Sequence, residues 1–405
     1  MKILQVNCVY GNGSTGKIVH DIHQELLGNG MESIVCYGRG EKTSEPNVHK
    51  VCGELYSKLN NLFSRITGIM YGGCFFSTNK LIDIIKKERP DVVHLHCING
   101  YFVNIYRLVK WLKKNGIKTV LTLHAEFMYT ANCGHALECE KWKTGCGHCP
   151  HLKKETRSWF FDKTARSFEK MKRAFSGFND NLIVTSVSPW LMERAKQSPI
   201  LGDKAHFVVF NGVDTEIFSL TDTSDLRKKH GLRDEKIIFH ATPSFSDDPN
   251  HFKGGYYVLK LAQMLKEDGV KIVVAGSCAE GLKVPENVIL LGRLEDQREL
   301  AGYYAMADVT VLTSKKETFS MVTAESLCCG TPVVGFRAGG PEQIAIEGYS
   351  DFVEYGDMDA LCSGVRKMIA RGLDAGCISQ TAEQVYSKKM MAKAYQMVYM
   401  KLGEL

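Results

Sequence analysis

Short apolar runs of strand length alternate with helical stretches along nearly the whole chain, and this alternation limits the fold more than any other feature. The runs fall at residues 3–8, 33–37, 92–96, 119–123, 182–187 and 206–210, then in a second series at 237–240, 272–275, 288–291, 309–312 and 332–335. Helical patterns lie between many of them, as at 18–27 and 257–266. Successive parallel strands need a crossover that is usually a helix, and a sheet covered on both faces reads as short, continuously apolar strands. Two such series in 405 residues, enough for two cores, predict two doubly wound, Rossmann-like α/β domains facing across a cleft. A polar stretch at 211–235, containing Thr221-Asp222-Thr223-Ser224-Asp225, separates the series. The expected domains are 1–205 and 206–385, with a C-terminal helix over 386–405 returning to the first. Ligands of such sheets collect at the carboxyl ends of strands, where helix N-termini point. The chemistry is therefore expected from strand–loop–helix junctions.

No run of 18 apolar residues is present to span a bilayer. Met1-Lys2-Ile3-Leu4-Gln5-Val6 reads as a buried first strand rather than a secretory leader. The expected location is the cytosol, where the 14 cysteines stay reduced, several of them inside apolar runs (Cys97, Cys328, Cys329). Charge is unevenly divided. Residues 1–200 carry 28 Lys and Arg against 17 Asp and Glu, whereas 201–405 carry 23 against 28. A basic first half suits anionic ligands, nucleic acid or an anionic membrane surface, and equally a plain solvated face.

Gly11-Asn12-Gly13-Ser14-Thr15-Gly16-Lys17-Ile18 follows the first strand and opens a helix. It falls one residue short of a P-loop, because the position that binds magnesium through a hydroxyl is Ile18. The run at 92–96 has its Asp91 before the apolar residues, so both magnesium ligands are missing and triphosphate hydrolysis is not expected. The glycines still let backbone N–H groups approach a pyrophosphate at a helix start. A tight turn without a ligand explains them as well.

The most informative segment is Glu317-Thr318-Phe319-Ser320-Met321-Val322-Thr323-Ala324-Glu325, followed by Gly330-Thr331-Pro332. A strand at 309–312 ends, a loop carries Glu317, a helix starts near Ser320 with Glu325 inside it, and Gly330 suits a left-handed helix end. Glu317 then sits beside a helix N-terminus that favours an anion such as a diphosphate. By spacing alone, a helix-dipole partner plus a solvated glutamate accounts for the pair more simply.

The segment resembles the Glu–seven residues–Glu signature of family 4 retaining glycosyltransferases, which have the GT-B fold. Asn211-Gly212-Val213-Asp214, Leu291-Gly292-Arg293-Leu294, Ala307-Asp308 and Gly339-Gly340 fall in the family's order. The resemblance implies a retaining hexosyltransferase that moves a sugar from a nucleotide diphosphate-sugar to a saccharide acceptor, with no cofactor for catalysis and no protein nucleophile. It implies that Glu325 holds the donor ribose and that Glu317 contacts the transferred sugar. Backbone N–H groups of Phe319, Ser320 and Met321 would cradle the diphosphate, and Leu294 would pack against the base. Lys253, in Phe252-Lys253-Gly254-Gly255, would neutralise the diphosphate. Gly16 matches the glycine loop of the first domain, and His124 matches a histidine facing the sugar. Three positions depart from the pattern. No arginine appears in 240–245, Ser320 replaces a glycine, and Ala125 stands after His124 where related sequences often carry Asp.

Cys133, Cys139, Cys146 and Cys149 place four thiols in 17 residues, with Cys146-Gly147-His148-Cys149 as a tight knuckle. Four cysteines suit a structural zinc, and reduced thiols or a redox pair are the alternatives. Residues 139–146 are similar to a segment of colanic-acid-type and other exopolysaccharide glycosyltransferases, which implies capsule, O-antigen or exopolysaccharide synthesis. Residues 153–172 mix basic side chains with Trp159, Phe160, Phe161 and Phe168. They would lie on an anionic membrane or form a helix with its aromatics turned inward. A lipid-linked acceptor would need a membrane-facing first domain, so weak peripheral association with the inner face of the cytoplasmic membrane is expected. Two rival readings are a zinc-knuckle nucleic-acid-binding protein and a non-catalytic sugar-nucleotide sensor. The first leaves the Glu317–Glu325 segment unexplained, and nucleic acid is not the expected partner.

Overall fold

The computed structural model describes residues 1–404 and divides into two compact units. One is Met1–Phe210 together with the chain from Met391 onward, and the other is Asn211–Met390.

The first unit holds seven parallel strands: β1 (Lys2–Asn7), β2 (Glu32–Tyr37), β3 (Val48–Lys50), β4 (Val92–Leu95), β5 (Thr119–Leu123), β6 (Leu182–Ser186) and β7 (Ala205–Val208). Their order across the sheet is β3-β2-β1-β4-β5-β6-β7. Its first three helices are α1 (Gly13–Gly28), α2 (Glu54–Thr67) and α3 (Phe75–Glu88). Ile18, Ile22 and Leu26 of α1, spaced on one helical face, pack on Ile3, Val92, Val120 and Ile183 of the sheet. Tyr395, Tyr399 and Leu402 of the helix Lys388–Glu404 complete that core.

The second unit holds six parallel strands: β8 (Lys236–Phe245), β9 (Val270–Cys278), β10 (Val288–Gly292), β11 (Val309–Leu312), β12 (Val333–Phe336) and β13 (Ser350–Val353), in the order β10-β9-β8-β11-β12-β13. Each sheet therefore starts at an inner strand, winds outward one way, and returns to wind the other way. The reversal falls between β1 and β4 in one unit and between β8 and β11 in the other, where the ends of two strands and their following loops leave a crevice for a ligand.

Two expected boundaries are corrected. The first domain does not end at 205, because β7 pairs with β6 throughout its length; the division lies between Phe210 and Asn211. The second does not end at 385, because Val213 bridges Ser387 and Lys388 Nζ binds Asp214 Oδ2 at 2.9 Å, which keeps the chain in the second unit as far as Met390. Strands β3 and β13 lie outside the apolar runs. Both are short, partly exposed edge strands, whose sequences need no continuous apolar stretch. Among the described residues, no helix is long and apolar enough to cross a membrane.

Candidate functional site

In the second unit the chain after β11 builds the site. The turn that carries Glu317 is held at both ends: Glu317 N–H donates to the Ala338 carbonyl at 3.0 Å, and Gly340 N–H donates to the Glu317 carbonyl at 2.9 Å. Gly340 has to be glycine, since a Cβ would stand 2.4 Å from the Thr318 carbonyl oxygen. The helix Met321–Cys328 follows, capped by Ser320, whose Oγ accepts from Thr323 N–H at 3.2 Å. Ser320 pairs a φ of 90° with a ψ of 91°, a conformation that suits glycine and strains a side chain. The helix ends at Gly330 with φ +83°, as the sequence suggests.

Lys253 reaches this turn from the other side of the switch point. Gly254 adopts φ +72°, and a Cβ there would lie 2.1 Å from the Thr313 carbonyl oxygen. That close approach sets Lys253 against the end of β11. Its Nζ binds Glu317 Oε1 at 2.6 Å, with both side chains mostly covered. Phe319 faces away from this pair; its buried ring meets Tyr386 edge-on at 6.5 Å, so only its backbone is placed for a ligand.

Glu325 and Leu294 line a separate cavity of about 380 Å³, together with Arg293, Tyr304, Val322 and the Ala241–Pro243 backbone. Tyr304 O–H donates to Glu325 Oε2 at 3.1 Å and fixes the carboxylate. The cavity wall is tight where the β8–β9 pairing shifts register: a Cβ on Gly276 would stand 2.3 Å from the Thr242 carbonyl oxygen. Arg293 brings a guanidinium to this rim from a residue type absent in 240–245. His240, buried behind Lys253, has a pKa pushed down to about 4 by burial. Its Nδ1 donates to the Val311 carbonyl at 3.0 Å, and the ring is neutral at neutral pH.

The first unit places its candidate residues at the carboxyl ends of β1, β4 and β5. Gly16 lies in the first turn of α1, buried, with its carbonyl receiving Gly11 N–H at 3.0 Å. A Cβ there would press on Val9 Cγ2 at 3.1 Å. His124 Nε2 lies 3.1 Å from His96 Nδ1. His96 in turn packs at a tilt against His94, with ring centroids 3.8 Å apart, and His94 is held by Tyr399 Oη and Thr122 Oγ1 at 2.7 Å each. Burial pushes His124 down to about 4 and holds His94 and His96 well below the usual range. The row is neutral and hydrogen-bonded, not a charged cluster. Beside it, Glu126 is wholly buried and accepts from Arg194 Nε at 2.7 Å and from Ala136 N–H at 2.6 Å. This carboxylate anchors the cysteine loop.

A second cavity in the first unit, about 470 Å³, is lined by Arg39, Asn61, Tyr71, Asn99, Tyr101 and Arg157 among others. Tyr71 and Tyr101 stack at 4.5 Å and 23°. Tyr71, Tyr101 and Arg157 have φ of 51°, 56° and 56°, and left-handed backbone at bulky residues costs roughly 1–3 kcal/mol each and gathers at functional sites. No motif announces these residues, because they come from separate loops. Their signal is conformational and invisible in a single sequence.

All four loop cysteines line one small cavity of about 20 Å³ with Trp142. Among the described residues, no three Cys, His, Asp or Glu side chains stand together as ligands of a metal ion. The aromatic segment behaves in two ways. Phe168 is buried in the helix Thr164–Phe175, whereas Trp159, Phe160 and Phe161 are exposed.

Known proteins resemble the chain throughout. A model described as Glycosyltransferase Family 4 matches residues 15–217, and one described as Glycosyl transferases group 1 matches 222–384. The putative colanic acid biosynthesis glycosyl transferase WcaC of Escherichia coli K12 is 24% identical over 99% of this chain and 100% of its own length. Among solved structures, a glycosyltransferase of Rickettsia africae superposes with a TM-score of 0.67 at 16% identity, covering 99% of this chain and 98% of its own. Anabaena Alr3699/HepE in complex with UDP-glucose gives 0.63 at 15% identity over 100% of both chains.

Proposed function

The chain belongs to the glycosyltransferases of Family 4 and group 1, and on that footing we propose that it is a retaining, metal-independent hexosyltransferase using a nucleotide diphosphate-sugar. The observation that carries this reading is the Lys253–Glu317 pair at 2.6 Å beside the start of the helix Met321–Cys328. A diphosphate arriving there competes with Glu317 for the ammonium. Lys253 and the first-turn N–H groups of Ser320 and Met321 then stabilise the charge that develops on the leaving phosphate, without a metal. Glu317, released from the ion pair, accepts hydrogen bonds from the transferred sugar. Glu325, steadied by Tyr304, takes the ribose hydroxyls, and Leu294 packs on the base in the same cavity. Arg293 supplies the second cation that 240–245 lacks. Gly16, in the glycine loop of the first unit, serves the donor, and His124 faces the transferred sugar as a neutral hydrogen-bonding group.

The acceptor is a saccharide, lipid-linked in bacterial surface polysaccharide assembly, and the stacked Tyr71 and Tyr101 offer it an aromatic platform. The four cysteines match structural zinc in number and chemistry, and the loop would have to tighten on the ion. Mass spectrometry of the native protein tests this: one zinc per chain supports it, and four free thiols with no metal reject it. Turnover separates the transferase from a sensor. With EDTA present and a donor panel supplied, the transferase releases nucleoside diphosphate slowly from one donor, whereas a sensor binds it and releases none.

A further inference from the structure

Helix α2 is built inside out. A helix on a folded domain ordinarily turns its apolar stripe to the core. Here the buried residues are Ser57 and Ser64, while Leu55, Leu59, Leu62, Phe63 and Ile66, spaced along one face, are exposed, Leu55 to 72%. The two serines are inward for a reason. Ser57 Oγ donates to the Gly100 carbonyl at 3.2 Å, and Tyr101 Oη donates to Ser64 Oγ at 3.3 Å. The inner face of α2 thus holds the loop of the stacked tyrosines, and the apolar residues of its outer face are exposed among the described residues.

The outer face continues into neighbouring segments. Tyr56 of α2 contacts Phe76 at the start of α3, with centroids 6.0 Å apart, and Phe76 is 79% exposed. The turn at 158–161 is fastened to the end of α2. Trp159 N–H donates to the Arg65 carbonyl at 2.8 Å, and the Phe161 carbonyl packs so close to Gly68 that a Cβ there would stand 2.3 Å away. Ser158 Oγ closes the turn on the Phe161 carbonyl at 2.7 Å, which leaves Trp159, Phe160 and Phe161 outward. A patch this large and contiguous marks an interaction surface.

Charge selects the occupant. Lys58 and Arg65 lie on α2, and Lys153, Lys154, Arg157 and Lys163 flank the 158–161 turn in sequence; Arg65, Lys153 and Arg157 share one groove with Trp159. Two of the acids nearby are hydrogen-bonded within the protein, and a third lines the cavity behind. Glu54 receives Gly40 N–H and Lys50 Nζ, Asp162 receives the N–H groups of Cys149 and Thr164, and Glu155 lines the tyrosine cavity. Exposed Trp, Phe and Leu bordered by Lys and Arg match the boundary of an anionic bilayer, which takes apolar side chains among its acyl chains and cations at its headgroups.

We propose that α2, the start of α3 and the 158–161 turn dock the protein on an anionic lipid bilayer, with the tyrosine cavity directly behind the docked face. The docking geometry stands by itself; only its purpose, presenting a lipid-linked acceptor, rests on the transferase reading above. Co-sedimentation of the full chain with vesicles of phosphatidylglycerol and phosphatidylcholine, against phosphatidylcholine alone, tests it. Wild type should bind the anionic vesicles and lose binding as salt rises. The triple variant Trp159→Ser, Phe160→Ser, Phe161→Ser and the double variant Leu59→Gln, Phe63→Gln should each weaken binding by at least about tenfold. Leu27→Ser, an exposed leucine outside the patch, should change nothing. Wild type that ignores anionic vesicles, or variants that bind like wild type, overturns the proposal. So does a wild-type dimer that these substitutions make monomeric while vesicle binding is absent, since a second copy would then cover the face. Donor turnover without lipid, measured alongside, stays unchanged if only docking is lost, and its failure alone counts against the transferase reading.

Discussion

The two units wind their strands alike, the first with one strand more, yet they furnish their switch points by opposite means. The second uses charge at the surface of its crevice: Lys253 against Glu317, and Glu325 at a cavity rim with Arg293. The first uses neutral, buried groups, a row of three histidines whose protons are driven off by burial. Its charged pair, Arg194–Glu126, is spent on holding a loop. A parallel sheet fixes where a ligand can sit, and the loops decide whether that place stabilises a departing diphosphate or merely shapes a polar cavity.

Substitutions separate these two roles. Lys253→Ala and Glu325→Ala should each lower kcat/KM by about 10²–10³ with little change in melting temperature, because both act on the ligand. Glu126→Ala should do the reverse, costing about 3–5 kcal/mol of stability by leaving Arg194 half-buried without its partner; denaturant unfolding reads this directly. Equal stability losses in both units would break the comparison.

Acid probes a feature that the two units share. His124 and His240 have native pKa values pushed down from 6.5 to about 4. Because the native state resists the proton that the unfolded chain accepts, their contribution is complete above pH 6.5 and is lost as the pH falls towards 4. Each contributes on the order of 3 kcal/mol across that window. Unfolding monitored at stepped pH should show the loss, and His124→Gln should flatten it. Smaller effects sharpen the picture of the second unit. Tyr304→Phe should raise the donor KM several-fold with kcat nearly unchanged, since it removes the hydrogen bond that positions Glu325. Ser320→Gly should raise stability by about 0.5–1 kcal/mol, because relief of a left-handed side chain outweighs the lost cap.

Much of the second unit was legible in the sequence. The strand at 309–312, the helix after Ser320 and the glycine stop at 330 follow from local patterning, whereas the contact between Lys253 and Glu317 is made by the fold across 64 residues. What escaped the sequence came from distant loops brought together by the first sheet. Tyr71 and Tyr101 are 30 positions apart, and their stacking depends on left-handed backbone that neither residue type announces. The inverted face of α2 escaped for another reason: its apolar spacing is that of any surface helix, and only the serines' bonds to the 100–101 loop show which side is in. The spacing of the cysteines leaves zinc, reduced thiols and a redox pair open, and the fold gathers all four around one small cavity.

The central claim, that the second unit binds a nucleotide diphosphate-sugar without a metal, is tested most directly by calorimetric titration of UDP-glucose and a panel of related donors into the protein in EDTA. The account predicts saturable binding of one donor, lost in Lys253→Ala and Glu325→Ala and kept in His124→Gln. Binding that requires a divalent ion, or that survives both substitutions, would contradict it.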